Sequence, residues 1–221
     1  MSLNFPISSA GKRGGGLGTE GLLEWWDDAD IIGKHNSISL GATPGTTITG
    51  PNGWNAWNLN GTDCVAGVTG AGYPTGAYVE RTAAFVLYRN GDSQQVSANS
   101  LLAGFTNRIN DYHHLGSRYG QNFELRHKGS RYIISGFNNN AWMSIVWVET
   151  IGGQSQLYKN GTLIFQSTPS ASDSRSVNPW QTYLASSQID VAVACLADRS
   201  WTQDDVAAFH NGGNFIQYAD L

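Results

Sequence analysis

The apolar positions of this chain recur mostly with a period of two, the alternation of a half-buried strand. Residues 21–26 (GLLEWW) open the pattern. A short run follows at 62–68, where Cys64, Ala66 and Val68 alternate. A longer one spans 77–89 and carries Tyr78, Phe85, Val86, Leu87 and Tyr88. Residues 122–127 and 131–135 flank His127-Lys128-Gly129-Ser130 and predict a hairpin. Residues 141–149 are apolar on both faces, with Trp142, Val146 and Val148 on one and Met143, Ile145 and Trp147 on the other. Such a strand belongs inside a sheet covered from both sides. Residues 154–159 and 162–166 surround Asn160-Gly161, a two-residue hairpin signal because both residues accept positive φ. Residues 187–197 predict the last strand, with Ile189, Val191, Val193 and Cys195 on one core-facing side.

One short helix follows. Thr202 is placed as its N-cap, with Asp205 three residues on completing a capping box and Trp201 and Val206 forming a hydrophobic staple. Asn211, Gly212 and Gly213 supply the C-terminal stop. Ten or more strands, one helix and no strand–helix alternation predict an all-β protein.

Composition sharpens this picture. Of 221 residues only 14 % are charged, while glycine numbers 27 and Trp, Tyr and Phe number 8, 9 and 8. A disordered chain would be richer in charge and poorer in aromatics, and a helical bundle richer in strong helix formers. The net charge of −4 disfavours a nucleic-acid partner. No apolar stretch is long enough for a membrane-spanning helix, so no membrane insertion is expected, and no Sec-type apolar region is seen in residues 1–20. Residues 1–20 read as a flexible arm, Gly-rich over 8–18, ahead of a β domain at 21–221. The arm is either a free tail or a segment that orders against a neighbouring subunit. Cys64 and Cys195 are expected as buried thiols, with a disulfide between them left open. Asn60-Gly61-Thr62 and Asn160-Gly161-Thr162 match the glycosylation sequon, but turn chemistry accounts for both.

Five segments, in order, resemble the laminin G-like members of the concanavalin A-like lectin/glucanase superfamily. They are GLLEWWDDAD at 21–30, TAAFVLYR at 82–89, the strand beginning at Trp142 after Asn138-Asn139-Asn140, LYKNGTLIF at 157–165, and VACLADRSWTQDDVAAFHNGG at 193–213. The resemblance implies a jelly-roll sandwich of two antiparallel sheets with one short C-terminal helix. It also implies a choice of roles, since this sandwich hosts enzymes, lectins and structural parts.

Glycoside hydrolysis needs two carboxylates about 5–9 Å apart, which on a strand means acids two or four residues apart. The five Glu (Glu20, Glu24, Glu80, Glu124, Glu149) have no such neighbour within a strand-like run. The chain is therefore read as a non-enzyme. His113 and His114 are adjacent, so on a strand they would face opposite ways and share no metal. The acidic turn Asp27, Asp28 and Asp30 offers hard oxygen ligands, a candidate calcium site.

Glycan recognition combines an aromatic platform with amide, acid or basic groups for hydroxyls. Three loop-like segments have that mixture: 54–58 with Trp54 and Trp57, 111–121 with Tyr112, His113, Arg118 and Tyr119, and 170–181 with Trp180. Asn139 joins them from the Asn-rich stretch. The expectation is a non-catalytic lectin-like binding or structural protein. The resemblance points to a phage virion component (capsid decoration, tail or fibre) acting at the virion or extracellular surface. Its partners would be other virion or self subunits met through the arm, and cell-surface carbohydrate. The alternatives are a free-standing carbohydrate-binding or adhesion module of a bacterial cell and, less favoured, a glycoside hydrolase.

Overall fold

The computed structural model describes residues 17–40, 46–58, 63–67, 80–89, 100–104, 113–118, 122–127, 130–136, 140–150, 154–167, 181–185 and 189–221. Among these, fourteen strands form two antiparallel sheets. They are β1 (Leu22–Asp27), β2 (Thr46–Thr49), β3 (Asn55–Asn58), β4 (Asp63–Gly67), β5 (Arg81–Arg89), β6 (Ser100–Gly104), β7 (His113–Arg118), β8 (Asn122–His127), β9 (Ser130–Ser135), β10 (Trp142–Glu149), β11 (Ser155–Lys159), β12 (Thr162–Gln166), β13 (Gln181–Ala185) and β14 (Ile189–Ala197). One helix, α1 (Gln203–His210), follows. The large sheet runs β12-β11-β10-β5-β14-β3-β2, with β1 also paired to β14; the small sheet runs β4-β13-β6-β7-β8-β9. This is the two-sheet antiparallel sandwich with a short C-terminal helix that the hydrophobic pattern and the family resemblance imply.

The large sheet is buried on both faces. Trp57, Phe85, Leu87, Met143, Ile145 and Trp147 meet Leu115, Leu125 and Ile134 of the small sheet in the inter-sheet core. On the other face Trp25, Val86, Val146 and Val148 pack under Val206 and Phe209 of α1 and under Phe215 and Ile216 of the tail. The two apolar sides of residues 141–149 thus divide between two cores as the alternation requires. Leu17, assigned by composition to the arm, is buried in the helix-side core.

α1 is held as expected. Thr202 Oγ1 accepts from Asp205 N at 3.2 Å and Asp205 Oδ2 accepts from Thr202 N at 2.8 Å. Trp201 and Val206 are both buried, and the Trp201 and Phe209 rings lie 5.4 Å apart. Asn211 ends the helix at φ 47°. At the β11–β12 turn Asn160 and Gly161 take φ values of 50° and 76°, and Asn160 Oδ1 accepts from Ser144 N at 3.0 Å.

β14 departs from simple alternation. Its pairing with β5 shifts register between Val191 and Val193, which makes Ala192 a bulge. One extra residue flips every side chain beyond it to the other face. Ile189 and Val191 face the inter-sheet core, while Val193 and Cys195 face the helix side. Cys195 is therefore buried but on the opposite face from Val191, a correction to the single-sided reading. It is a free thiol whose burial pushes its ionisation well up, so it stays neutral. The bulge also divides the strand's edge: β3 pairs with Asp190 and Val191, β1 with Val193–Ala197.

Segments 54–58 and 111–121, expected as loops, contain strands β3 and β7. β3 reads Asn-Ala-Trp-Asn and β7 His-His-Leu-Gly-Ser-Arg, each with too few large apolar residues to show alternation. Pairing with neighbours overrides their weak intrinsic preference.

At the far end of β5 and β10, Arg81 and Glu149 are cross-strand partners, both buried, with Nε–Oε2 at 3.2 Å. Burial pulls the guanidinium's ionisation down and Glu149 opposes that shift. Removing one partner leaves the other charge buried, at a cost of about 3–5 kcal/mol. Urea unfolding of Arg81→Met is expected to show that loss, and Arg81→Met/Glu149→Leu to recover much of it.

Candidate functional site

The register of five strands brings one row of chemistry together. Trp142 of β10 pairs with Tyr88 of β5, Tyr88 with Asp190 of β14, Asp190 with Asn58 of β3, and Asn58 with Thr46 of β2. Directly paired residues share a face, and adjacent strands lie about 4.8 Å apart, so the row spans about 19 Å. Trp142 packs against the helix-side core, which fixes the face. The row lies one step along the strands from Ser144, whose hydroxyl meets His210 Nδ1 at 3.1 Å beside the end of α1.

Its members differ in exposure in a useful way. Trp142 and Tyr88 are half-buried, their rings 5.5 Å apart and tilted by 46°. Asn58 is half-buried, Thr46 exposed and Asp190 buried. The result is an aromatic pair, a carboxylate, an amide and a hydroxyl in sequence across the sheet. Burial pushes the Asp190 carboxyl up to about 6. The group therefore changes charge near neutrality, where it can either donate or accept a hydrogen bond.

Of the residues singled out from sequence, few meet here. Trp57 is not in a loop: it is a β3 residue, 1 % exposed, in the inter-sheet core. Trp54 is half-buried on the helix-side face at the opposite end of β3, beside a turn where Asn52 Nδ2 donates to Asn214 O. His113 and Arg118 are the end residues of β7 in the small sheet. Tyr112, Tyr119, Asn139 and Trp180 lie outside the described residues. Asn139 precedes Asn140-Ala141-Trp142, which lead into the row. The sequence pattern places Trp142 at the head of a strand and Asn58 within a candidate segment. Joining them to Tyr88 and Asp190 takes strand register, which no local signal encodes.

The acidic turn is occupied by donors of the chain itself. Asp27 Oδ2 accepts from Trp25 Nε1 at 3.0 Å and Tyr218 N at 2.7 Å, and burial raises its ionisation. Asp30 pairs with Lys34 at 2.7 Å and accepts from Ile32 N, and the Lys34 bond holds its carboxyl below the usual range. Asp28 accepts from Asn55 N at 3.4 Å. Glu24, fully buried, accepts from the backbone N–H groups of Trp25, His35, Asn36 and Ile38 and so shapes residues 31–40. Gly33 is required at this contact, because a Cβ there would lie 2.0 Å from Glu24 Cδ. Among the described residues no three His, Cys, Asp or Glu side chains gather closely enough to hold a metal ion.

No protein-family model matches the chain, and no curated protein matches it in sequence. Solved structures do match in fold. The binding domain of Paraclostridial Mosquitocidal Protein 1 superposes with a TM-score of 0.71 at 14 % identity, over 88 % of this chain and 53 % of that one. The botulinum neurotoxin serotype D ligand-binding domain, solved in complex with N-acetylneuraminic acid, gives 0.69 at 12 % identity over 88 % and 51 %. A Trypanosoma rangeli sialidase in complex with 2,3-difluorosialic acid gives 0.68 at 12 % identity over 97 % and 36 %. The chain spans about half of the toxin binding domains and about a third of the sialidase. At these identities the likeness is one of fold.

The Asp190 value yields a signed expectation. An unfolded chain releases an Asp proton near pH 3.9, whereas the folded state keeps it to about 6. Between about pH 4 and 6 the folded state binds more protons, so this group's contribution to stability falls as pH rises through that window, by up to about 3 kcal/mol. Thermal unfolding at pH 4.5 and 7.5 is expected to show Asp190→Asn losing less stability over that interval than the unaltered chain. Parallel curves for the two would refute the assignment.

Proposed function

We propose that this protein is a non-catalytic, lectin-like module that holds a glycan along the row Trp142, Tyr88, Asp190, Asn58 and Thr46. The observation that carries the reading is the row itself. Aromatic rings pack on the apolar face of a sugar and amide and hydroxyl groups bond to its hydroxyls, while the buried Asp190 carboxyl lies beneath, between Tyr88 and Asn58. The match in fold to a toxin domain solved with N-acetylneuraminic acid supports the same class of ligand. A binding rather than hydrolytic role is supported by the acids. Asp190 is the single carboxylate of the row, whereas Glu24, Glu124 and Glu149 engage backbone N–H groups or arginines elsewhere.

Titration of tryptophan fluorescence with a broad oligosaccharide panel tests this. Trp142→Ala is expected to weaken binding at least tenfold and Asp190→Asn to weaken it above pH 6, while Trp57→Phe leaves it within about twofold. Absence of any response, or a Trp142→Ala variant that binds as before, would overturn the reading.

The Gly-rich arm favours a second role, assembly as a virion subunit, compatible with glycan binding. Leu17 is buried against the helix-side core, so the arm starts from a fixed point on the domain. Light scattering of the full chain is expected to show an oligomer that removal of residues 1–16 converts to a monomer. A monomer in both cases would exclude that assembly.

A further inference from the structure

A groove of about 530 Å³ lies where α1, the C-terminal tail and the start of the described chain meet. Ala207 and Ala208 of α1, Asn211 after it, Ile216 and Asp220 of the tail, and Leu17 line it. Val206 and Phe209 turn to the helix-side core, so the groove follows the face of α1 that the core leaves free. Two alanines on that face let another backbone come close. Leu17 and Ile216 are buried, whereas Ala207, Asn211 and Asp220 are exposed.

The chain enters the domain at this groove. Just beyond Leu17, Leu22 N donates to Thr19 O at 3.0 Å, Arg199 Nε to Glu20 O at 2.9 Å and Asp198 N to Gly21 O at 2.8 Å. Residues 1–16 lie outside the described residues, and this fixed point is where they begin. Their sequence suits the groove. Gly14, Gly15 and Gly16 have no Cβ, so the backbone next to Leu17 can approach Ala207 and Ala208 closely. Arg13 and Lys12 precede Leu17 by four and five residues, which keeps their backbones within about 14 and 18 Å of it.

Charge is complementary as well. Residues 1–16 hold Lys12 and Arg13 and no acid, while residues 200–221 hold Asp204, Asp205 and Asp220 and no Lys or Arg. Asp205 is engaged by Arg199 at 2.7 Å. Asp204 and Asp220 are exposed. Asp220 lines the groove, and Asp204 stands three and four residues before Ala207 and Ala208, on the same face of the helix.

We propose that residues 12–16 of this chain lie along the groove, with the three glycines against α1 and Lys12 and Arg13 paired with Asp204 and Asp220. A segment tethered this close meets its own groove at high effective concentration. The docking is therefore intramolecular and stands whether or not copies of the chain assemble. It straps α1 from outside and sets the direction in which residues 1–11 leave the domain. Exposed ion pairs contribute little singly, so the shape of the groove carries the contact and charge sets its salt dependence.

Trypsin cleaves after Lys12 and Arg13, so docking reads out as protection. Cleavage of the full chain at these bonds is compared with that of a synthetic peptide of residues 8–18 in 0.1 M and 1 M NaCl, where the screening length falls from about 10 to about 3 Å. At the lower salt the chain is expected to be cut at least tenfold more slowly than the peptide, and at the higher salt that difference is expected to shrink at least threefold. Asp204→Asn/Asp220→Asn is expected to be cut at least threefold faster than the unaltered chain. Ala207→Trp, at an exposed position outside the core, fills the groove and is expected to be cut at least fivefold faster. Circular dichroism and the unfolding temperature confirm the fold of both variants. Protection is expected to be the same in dilute and concentrated protein. Cleavage at the peptide's rate, protection that survives Ala207→Trp or the double variant, or protection that grows with protein concentration, the mark of docking on a second copy, would each overturn the inference.

Discussion

The burial of the large sheet on both faces is the constraint on which the rest of the molecule depends. A sheet with one wet face needs only a second sheet. Here Val86, Val146, Val148, Val193 and Cys195 would face water if α1 and the C-terminal tail did not cover them. Burying a side chain of that size contributes roughly 1.5–3 kcal/mol, so the helix has a structural task large for its eight residues. Its capping box, its staple and the Trp201, Phe209 and Trp25 rings all serve that docking.

The same constraint locates the chemistry. Cover from α1 extends to the level of Ser144 and His210. One step further along the strands Trp142 and Tyr88 are only half-buried, and Asp190, Asn58 and Thr46 replace apolar residues. The candidate glycan row is the place where the second core ends and polar groups take over on a rigid sheet. The bulge at Ala192 contributes by ending the β3 pairing and admitting β1, so that Asp190 and Asn58 sit in register while Trp25 and Trp26 close the sheet beyond them.

Carboxylates separate into two kinds across this architecture. Glu24 of β1 and Asp27 at its end, where the acidic turn begins, accept hydrogen bonds from backbone N–H groups and, at Asp27, from the Trp25 indole. Asp190 sits in a strand that looks purely apolar in sequence, and burial pushes its ionisation up to about 6. Net charge is likewise an average: residues 108–131 are net +3 and the rest of the chain −7.

The sequence by itself determined the two-sheet class, the long strands, the Asn160-Gly161 turn and the capped helix. Each of these rests on local chemistry: alternation, positive-φ tolerance, or a side chain bonding to its own helix end. It also located Trp142 at the head of a strand apolar on both faces. Tertiary structure alone decided that β3 and β7 are strands, that Trp57 is core, that Cys195 faces the helix and that Leu17 belongs to the domain. It alone aligned Tyr88 with Asp190, and His114 with Arg126 and Arg131. The physical reason is common to all of these. Register and facing are relations between strands far apart in the chain, and a one-residue bulge such as Ala192 inverts them without altering the local pattern of residues.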